Sequence, residues 1–327
     1  MSGLITYSVR QPSVHLAESV FQLHEQVYGD ATALRQRWNW EFMQHPRHAE
    51  IRTYCAEQGG CLVGFTARHP VTLSVQGQPL AAWFASNSMV HPSMRGQGII
   101  RTLYMQALED AGAVQLSKGT AEGMYAVLKK IGYREITPNT YQVCILDPFR
   151  WLLQRLGGLS SSSLQADEAE AHPHLLRLAE KIPEDIAAIR CDGILKDASY
   201  LTWRYCTIPH KRYNLYLRRV DGKPVSFFAL CYNGTTAYLV EFIWDNRVTD
   251  EPSTSISIAK REARRMGACK MVSWTASERL RNTLGQNGFF NRNETPHFSY
   301  FCPSGCADSI AWSKLAFVHG DGDIDYL

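Results

Sequence analysis

The sequence predicts an α/β (α+β) fold with two tandem domains, each a mixed, mostly antiparallel twisted sheet flanked by helices. Three observations support this prediction. The chain has 327 residues, enough for two domains of ordinary size, and 45% of them are apolar, enough for packed cores. Short alternating runs typical of strands are separated by glycine-containing turns and by stretches with helical spacing. An aromatic pattern of the first half also recurs in the second half.

The first half has a definite order of elements. Alternation predicts strands at 4–9, 51–57, 61–69, 71–75, 79–90, 114–116 and 141–146. Helical spacing covers 13–28, an aromatic-rich segment at 34–46, and the stretches 99–112 and 120–131. We therefore expect one sheet, closed by the strand at 141–146.

The stretch between the strand at 79–90 and the helix at 99–112 carries the strongest functional signal. Pro92 ends the strand, and Arg95, Gly96 and Gly98 come directly before the helix. Glycine allows a positive φ and a close approach of ligand to backbone. A helix N-terminus adds unpaired N–H groups and a partial positive charge. This combination suits a pyrophosphate, while an ordinary tight turn is the alternative interpretation.

The same stretch resembles the acyl-CoA pyrophosphate loop of the GNAT superfamily of N-acyltransferases. The family pattern is Arg or Gln, two residues, Gly, one residue, then Gly or Ala. Arg95 and Gly98 match this pattern, whereas Ile100 stands where a small residue is usual. The resemblance implies that acetyl-CoA binds here as a co-substrate. The implied cofactor-binding residues are Met89, Val90, Arg95, Gly96, Gln97, Gly98, Ile99 and Ile100.

A second stretch, ending in Gly132 and Tyr133, resembles the last characteristic stretch of the same superfamily. Leu128 stands where the family often has a tyrosine that protonates the CoA thiolate. Tyr125 lies about one helical turn earlier and is a candidate for that role, with core packing as the alternative. A thiol with a pKa near ~8.5 is a fair leaving group, so the thiolate could also leave unprotonated.

Acyl transfer to an amine requires a base or a water chain that accepts the amine proton. The candidates are Glu41 in the aromatic-rich segment, His91 directly after the strand, and Glu241 in an apolar strand. Packing is the alternative for Glu41, and a surface position is the alternative for His91. A carboxylate in an apolar strand is costly unless it is paired or functional, so we expect Glu241 to contact the acceptor. Asn87 and Ser88 could orient the acceptor or a water molecule.

The second half repeats a pattern of the first. In both, a tryptophan, a charged residue and an aromatic residue are followed four positions later by a proline. The two sets are Trp40-Glu41-Phe42 with Pro46, and Trp203-Arg204-Tyr205 with Pro209. Strands are predicted at 213–219, 223–232, 237–244 and 270–275, and helices at 175–182, 255–266 and 278–286.

The repeat differs at the loop. Its equivalent has no glycine and carries Asp250 and Glu251, whose carboxylates would repel a pyrophosphate. We expect an acyl-CoA-binding GNAT-like domain over 1–150 and a linker rich in Ser, Gly and acidic residues over 151–172. A second, degenerate GNAT-like domain over 173–327 should not bind CoA and should shape the acceptor site.

Composition excludes several other classes of protein. A net charge of +3 without a basic block argues against nucleic-acid binding. No apolar run reaches the ~18–20 residues of a membrane span, and the N-terminus does not resemble a signal peptide. Nine scattered cysteines predict mostly reduced thiols in the cytoplasm. Cys302 and Cys306 lack a partner pair, so we expect no metal, and the acidic stretch 321–325 is predicted to be a solvated tail or to dock near the cleft.

The sequence thus predicts an N-acetyltransferase that passes an acetyl group from acetyl-CoA to a primary amine of a small molecule, directly and in a ternary complex. The tandem layout makes an amino sugar a plausible acceptor by analogy. Two alternatives stay open: a non-catalytic acyl-CoA-binding or interaction protein, and a protein lysine acetyltransferase. The oligomeric state is not predicted.

Overall fold

The computed structural model describes residues 4–156, 174–292, 296–303 and 310–321. The strands are β1 Ile5–Arg10, β2 Arg52–Gln58, β3 Cys61–Val75, β4 Gln78–Val90, β5 Val114–Thr120, β6 Arg134–Glu135, β7 Thr140–Ile145, β8 Leu175–Leu178, β9 Gly193–Ile194, β10 Asn214–Val220, β11 Lys223–Asn233, β12 Thr236–Trp244, β13 Lys270–Thr275, β14 Phe290–Asn291 and β15 His297–Phe301. The helices are α1 Val14–Tyr28, α2 Thr32–Trp38, α3 Ile99–Ala111, α4 Glu122–Ile131, α5 Pro148–Arg155, α6 Ala198–Cys206, α7 Glu251–Arg265 and α8 Glu278–Gln286.

The strands form two mixed sheets flanked by helices, as the sequence predicts for two GNAT-like domains. The first sheet has the order β1-β2-β3-β4-β5-β15-β6, with β9 paired to part of β3. The second has the order β14-β7-β13-β12-β11-β10-β8. Neighbouring strands are antiparallel except for β4 with β5 and β12 with β13, which are parallel. None of the described helices is long and apolar enough to cross a bilayer.

The two halves exchange strands. β7 lies in the second sheet, where Tyr141 pairs with Trp274, and β15 lies in the first sheet, where Tyr300 pairs with Leu116. The expectation that the strand at 141–146 closes the first sheet is therefore wrong. Alternation determines which face of a strand is buried but not which strand lies beside it. The exchange gives each sheet a strand from the other half of the chain.

Two other local expectations are corrected by the structure. Residues 61–75 form one continuous strand rather than two, because β2 pairs with β3 only as far as Arg68, and Pro70 needs no N–H for that neighbour. Residues 175–178 form an edge strand that pairs with β10, not a helix. Edge pairing and the partial burial of Leu175 and Leu178 outweigh the helical spacing there.

The aromatic-rich segment has an uncommon local conformation. α2 continues directly into a π-helical turn, Asn39–Met43, in which the N–H of Gln44 donates to the carbonyl of Asn39 over 2.9 Å. The consecutive residues Trp40, Glu41 and Phe42 are all buried. Single π-helical turns occur frequently at functional sites. Here the turn directs the Glu41 carboxylate into the protein interior.

Candidate active site

The glycine loop adopts the conformation that the sequence pattern requires. Gly96 has φ 81° and Gly98 has φ 78°, and Gly98 is the N-cap residue of α3. A Cβ on either glycine would meet no described atom within 4 Å, so glycine is needed for conformation rather than for space. Within the described chain, no side chain caps the first turn of α3. Its backbone N–H groups are therefore free to bind an anion.

Strand β3 fixes the position of this helix start. A Cβ on Gly64 would lie 2.6 Å from Cγ2 of the buried Ile99. The first residue of α3 thus packs directly on the backbone of β3. Ile100 is partly buried and packs against apolar clusters beside it, while Arg95 and Gln97 are exposed. The side chain of Ile100, which replaces the small residue of the family pattern, is therefore accommodated in the core. The loop itself remains open to solvent.

Strands β4 and β5 diverge next to the loop. Their parallel pairing ends at Phe84 and Leu116, although β4 continues to Val90. The N–H of His91 donates to Val63 of β3, so alternation directs the N–H of Val90 toward the open edge. An extended thioester arm could pair with this edge.

A β-bulge lies on the diverging part of β4. Asn87 has φ 49° and interrupts the register between Ser86 and Met89, a conformation that asparagine tolerates better than most residues. Its Nδ2 donates to Glu41 Oε1 over 2.5 Å, and its Oδ1 accepts from Arg37 Nη2 over 3.0 Å. The bulge thus turns a polar side chain of β4 toward the π-helical turn.

Glu41 is the centre of this polar group. Its side chain is 2% exposed, and Oε2 accepts from Arg37 Nε over 3.0 Å. His69 Nε2 lies 3.6 Å from Oε1. Burial alone would raise the pKa of Glu41, but interactions with His69 and Arg37 outweigh burial and hold the pKa below its usual value. The carboxylate is therefore ionised at neutral pH.

Two histidines lie beside Glu41. His69 Nε2 is 2.9 Å from Ser86 Oγ. His45 Nδ1 accepts from the backbone N–H of Arg47 over 3.0 Å, and burial lowers the pKa of His45 to about 3. His45 is thus neutral, with Nδ1 as an acceptor. His69, which bonds a hydroxyl and approaches a carboxylate, is the imidazole placed to move a proton.

Glu41, His45 and His69 line a small pocket between the two halves of the chain. Phe84, the last β4 residue paired with β5, lies in its wall, so the pocket meets the point where the strands diverge. The first half contributes Trp40, Glu41, His45, His69, Val71 and Phe84, and the second half contributes Ile194, Tyr200 and Trp203.

Two tryptophans join the halves at this pocket. The rings of Trp40 and Trp203 stack with centroids 4.7 Å apart and planes at 10°. Each indole N–H donates to the backbone carbonyl of the other tryptophan, over 2.9 and 2.8 Å. The sequence repeat places these residues at equivalent positions. The two repeated segments therefore meet in a reciprocal contact at the pocket.

Comparison with known proteins agrees with this geometry. Residues 8–136 match the family model described as an acetyltransferase (GNAT) domain. Residues 8–136 therefore form a GNAT domain. The match includes the glycine loop, the diverging strands and the π-helical turn, so these features belong to one known fold.

Solved structures extend the likeness to most of the chain. A probable N-acyltransferase from Enterococcus faecalis V583 is 11% identical, with a TM-score of 0.62 over 91% of this chain and 73% of that one. A GCN5-related N-acetyltransferase from Kribbella flavida is 12% identical (TM-score 0.61, 91% and 71%). Saccharomyces cerevisiae N-myristoyltransferase with bound myristoyl-CoA is 15% identical (TM-score 0.56, 91% and 82%). These likenesses concern the fold. No curated protein matches the sequence.

Two of the sequence-derived candidates in the GNAT domain lie outside the pocket lining. His91 Nδ1 lies 2.7 Å from the hydroxyl of Ser93 and accepts from its N–H, so it closes a local turn. Tyr125 donates to Glu135 over 2.9 Å and stacks on His297, and burial raises its pKa to about 12. The hydroxyl proton of Tyr125 is thus held in a hydrogen bond to the carboxylate of Glu135.

Leu128 is fully buried and packs with Ala85, Tyr104 and Tyr133. It therefore presents no acid where the family often has a tyrosine. The hydroxyl of Tyr104 instead contacts Ser88 Oγ on the diverging part of β4 over 2.9 Å.

Glu241 lies behind the pocket wall. Its carboxylate accepts from Lys196 Nζ over 2.8 Å and from the hydroxyl of Tyr205 over 2.8 Å, and Lys196 also pairs with Asp321 over 2.6 Å. All three charged side chains are buried, and burial raises the pKa of Glu241. Asp321, expected in a solvated tail or docked near the cleft, is docked in the interior. Residues 322–327 lie outside the described chain.

The second sheet has an equivalent divergence, and the protein fills it. β12 and β13 pair only as far as Leu239 and Ser273. Beyond that point the N–H of Gly320 donates to Val240 over 2.5 Å, and the N–H of Ala276 donates to Phe317 over 3.2 Å. Lys118 of β5 donates to three backbone carbonyls, those of residues 318, 319 and 321.

The loop before α7 differs from the glycine loop of the GNAT domain. Glu251, in the first turn of the helix, is buried, pairs with Arg218 and accepts from Ser255. A carboxylate thus occupies the position where a pyrophosphate would need a positive helix end.

Sequence reasoning missed several residues that line the pocket or hold Glu41 in place. His69 and Arg37 were not singled out, although Arg68-His69 is a polar pair inside an apolar strand and Arg37 lies one helical turn before Glu41. Ile194 comes from a segment without a motif, and Tyr200 lies three residues before the repeated Trp203. Only the fold brings these residues together.

The remaining predictions concern metals and cysteines. Among the described residues, no group of three or more His, Cys, Asp or Glu side chains is arranged to hold a metal ion. Of the described cysteines, seven are free and Cys302 is disulfide-bonded. Cys306 and most of the proposed linker lie outside the described residues.

Proposed function

We propose that this protein is an N-acetyltransferase that transfers an acetyl group from acetyl-CoA to a primary amine of a small molecule, directly and in a ternary complex. One observation carries the proposal: the open edge of β4 and the pocket meet at Phe84. A thioester carbonyl paired to that edge would lie next to an acceptor amine in the pocket. Such proximity of reactants is a major source of catalysis.

An acyl-CoA donor suits the loop before α3. The two positive-φ glycines and the uncapped helix N-terminus offer backbone N–H groups for a pyrophosphate. A solved structure with the same fold, yeast N-myristoyltransferase, holds bound myristoyl-CoA. We propose acetyl as the acyl group because the same pocket must take the acceptor as well.

The pocket residues can accept the amine proton. The amine nitrogen attacks the thioester carbon, the C–S bond breaks, and the CoA thiolate leaves with the electron pair. In this proposal the imidazole of His69 takes the amine proton, and the ionised Glu41 stabilises the imidazolium that forms. Arg37 and Asn87 hold Glu41 in place. A thiolate is a fair leaving group, so no dedicated acid is required.

Calorimetry with acetyl-CoA tests the donor site. We expect wild type to bind and Gly98→Trp not to bind, because the indole would cover the helix start. Gly234→Trp is the matched control, since Gly234 also has a positive φ and no described atom near its Cβ. If wild type binds no acyl-CoA, the proposal fails.

Release of free CoA in the presence of amines tests turnover. We expect His69→Ala to lower kcat by roughly 10²–10⁴-fold with acetyl-CoA binding unchanged. If acetyl-CoA binds but no amine releases CoA, the protein is a non-catalytic acyl-CoA-binding protein.

A further inference from the structure

Building on the proposed acyl transfer, we infer that the acceptor is an apolar primary amine, an aryl- or alkylamine, rather than an amino sugar or an amino acid. The inference rests on the lining of the pocket between the two halves, which is apolar in its walls, largely paired in its polar groups and balanced in its charges.

The walls of the pocket offer apolar surface to the body of a ligand. Val71, Phe84 and Ile194 supply side chains without hydrogen-bonding atoms. Trp40 and Trp203 have already donated their indole N–H groups to each other's backbone. These two side chains therefore present ring surface, which binds apolar and aromatic groups.

The carboxylate of Glu41 and one ring nitrogen of each histidine in the pocket have partners within the protein. Both carboxylate oxygens of Glu41 accept hydrogen bonds, from Asn87 and from Arg37. His45 Nδ1 accepts from a backbone N–H, and His69 contacts Ser86. A sugar would bury several hydroxyls with few free partners here, and each unpaired polar group weakens binding by roughly tenfold.

The charges of the pocket are also balanced. Arg37 and Glu41 form a buried ion pair, and His45 is neutral. Behind the wall, Lys196 is held between Glu241 and Asp321. No described side chain of the lining offers an unpaired cation to an acceptor carboxylate or phosphate. A substrate that carries such a group would bury an uncompensated charge, which is strongly unfavourable.

Two matched pairs of amines isolate these properties. Phenylalanine differs from 2-phenylethylamine by its carboxylate, and glucosamine differs from cyclohexylamine mainly by its ring oxygen and hydroxyls. Binding of each amine is measured by calorimetry without acetyl-CoA, and turnover is measured as released CoA. We expect the apolar member of each pair to have the higher kcat/KM by at least about 100-fold, and to bind correspondingly tighter.

Substitutions at two neighbouring residues, one in β9 and one directly after it, test where the amine binds. Ile194 is buried in the pocket wall, whereas Leu195, directly after it, is exposed. We expect Ile194→Trp to fill the pocket and to lower the affinity for 2-phenylethylamine by at least tenfold. Leu195→Trp should leave the affinity unchanged. Both variants should bind acetyl-CoA like wild type, because the glycine loop is unaffected.

The outcomes separate this inference from the proposed function. If 2-phenylethylamine binds in an Ile194-dependent manner but no amine is acetylated, the assigned ligand class stands and the transferase activity falls. If glucosamine or phenylalanine is acetylated at least as well as its apolar partner, the activity stands and the inference is overturned. The inference also falls if neither apolar amine binds or is turned over. It falls equally if longer acyl-CoA chains, up to octanoyl, bind tighter than acetyl-CoA through Ile194, since the pocket would then hold the acyl group.

Discussion

At the scale of single residues, the carboxylate of Glu41 illustrates what a sequence can and cannot reveal. Glu41 could be named from the sequence because it lies among tryptophans in an apolar segment. Its partners could not, since Arg37, His69 and Asn87 meet only through a π-helical turn and a β-bulge. Neither irregularity has a periodicity that a pattern search detects. The polar contacts of Glu41 therefore depend on the π-helical turn and the β-bulge.

Replacing this carboxylate should lower the stability of the protein. We expect Glu41→Gln to lower stability at pH 7 by about 3–5 kcal/mol, because Arg37 is left buried without its counter-charge. Glu50→Gln, at an exposed pair with Arg47, should change stability by less than about 1 kcal/mol. Urea unfolding measures both. Retained wild-type stability in Glu41→Gln would contradict the pairing.

The same variant has a predictable pH dependence. The pKa of Glu41 is lower in the folded protein than its usual value of 4.5. The stability that its ionised form contributes is therefore fully present above about 4.5 and is lost as pH falls through the folded pKa. The stability difference between wild type and Glu41→Gln should shrink below pH 4.5. Urea unfolding at pH 7, 5 and 3.5 measures it, and a constant difference would contradict an ionised Glu41.

The conformation of Gly98 gives a second prediction at this scale. A non-glycine residue in the left-handed region costs roughly 1–2 kcal/mol, so Gly98→Ala should lower stability by about that amount. It should also weaken acetyl-CoA binding, because relief of the strain would move the N–H groups of the first turn of α3. Gly123→Ala, in α4, should be neutral or stabilising. Thermal unfolding and calorimetry measure the two effects, and unchanged affinity would argue against a role of the loop in binding.

At the scale of secondary-structure elements, the sequence predicts the glycine loop well and the strand partners poorly. The loop has local determinants: Pro92, two glycines and an amphipathic helix. The partner of β7 has none, because the same alternating pattern would suit either sheet. Pro70 likewise suggests a break between two strands. The strand continues through this proline because its pairing with β2 has already ended at Arg68. Local chemistry thus predicts conformation, whereas long-range pairing decides topology.

The contact between β3 and α3 is testable at this scale. Gly64→Ala would place a Cβ 2.6 Å from Ile99 Cγ2 and close to Ala56, so either the strand or the helix start must shift. We expect a loss of about 1–3 kcal/mol, typical of overpacking, together with weaker acetyl-CoA binding. Gly285→Ala, in α8 and open to solvent, is the matched control. An unchanged crystal position of Ile99 with full affinity would refute the proposed coupling.

At the scale of the whole molecule, both halves of the chain form the pocket, and the glycine loop lies in the first half. The sequence repeat indicates the duplication through its tryptophans, and the structure places those tryptophans against each other. The exchange of β7 and β15 makes the two sheets mutually dependent. An arrangement of this kind keeps the pocket walls from both halves in a fixed relation.

The tryptophan pair should be energetically coupled. Trp40→Phe and Trp203→Phe each remove one indole N–H donor to a backbone carbonyl, and each should cost about 1–3 kcal/mol. In a double-mutant cycle, the interaction term should be about 0.5–1.5 kcal/mol for the stacked rings and their shared hydrogen bonds. Urea unfolding of the four proteins measures this term. If the losses of stability in the two single variants simply add in the double variant, the tryptophans are not coupled, and other contacts join the two halves.

The filled divergence in the second sheet predicts the stoichiometry of donor binding. In the first sheet the gap between β4 and β5 is open beside a glycine loop, whereas residues 316–321 occupy the gap between β12 and β13. Glu251 adds a carboxylate at the helix start beside the second gap. Calorimetry should therefore give one acetyl-CoA per chain for wild type and none for Gly98→Trp. Lys118→Met, which loses three hydrogen bonds to the C-terminal segment, should be less stable and should still bind one acetyl-CoA. Two molecules per wild-type chain, or one retained by Gly98→Trp, would mean that the C-terminal segment is displaced by the donor and that the second domain keeps a working acyl-CoA site.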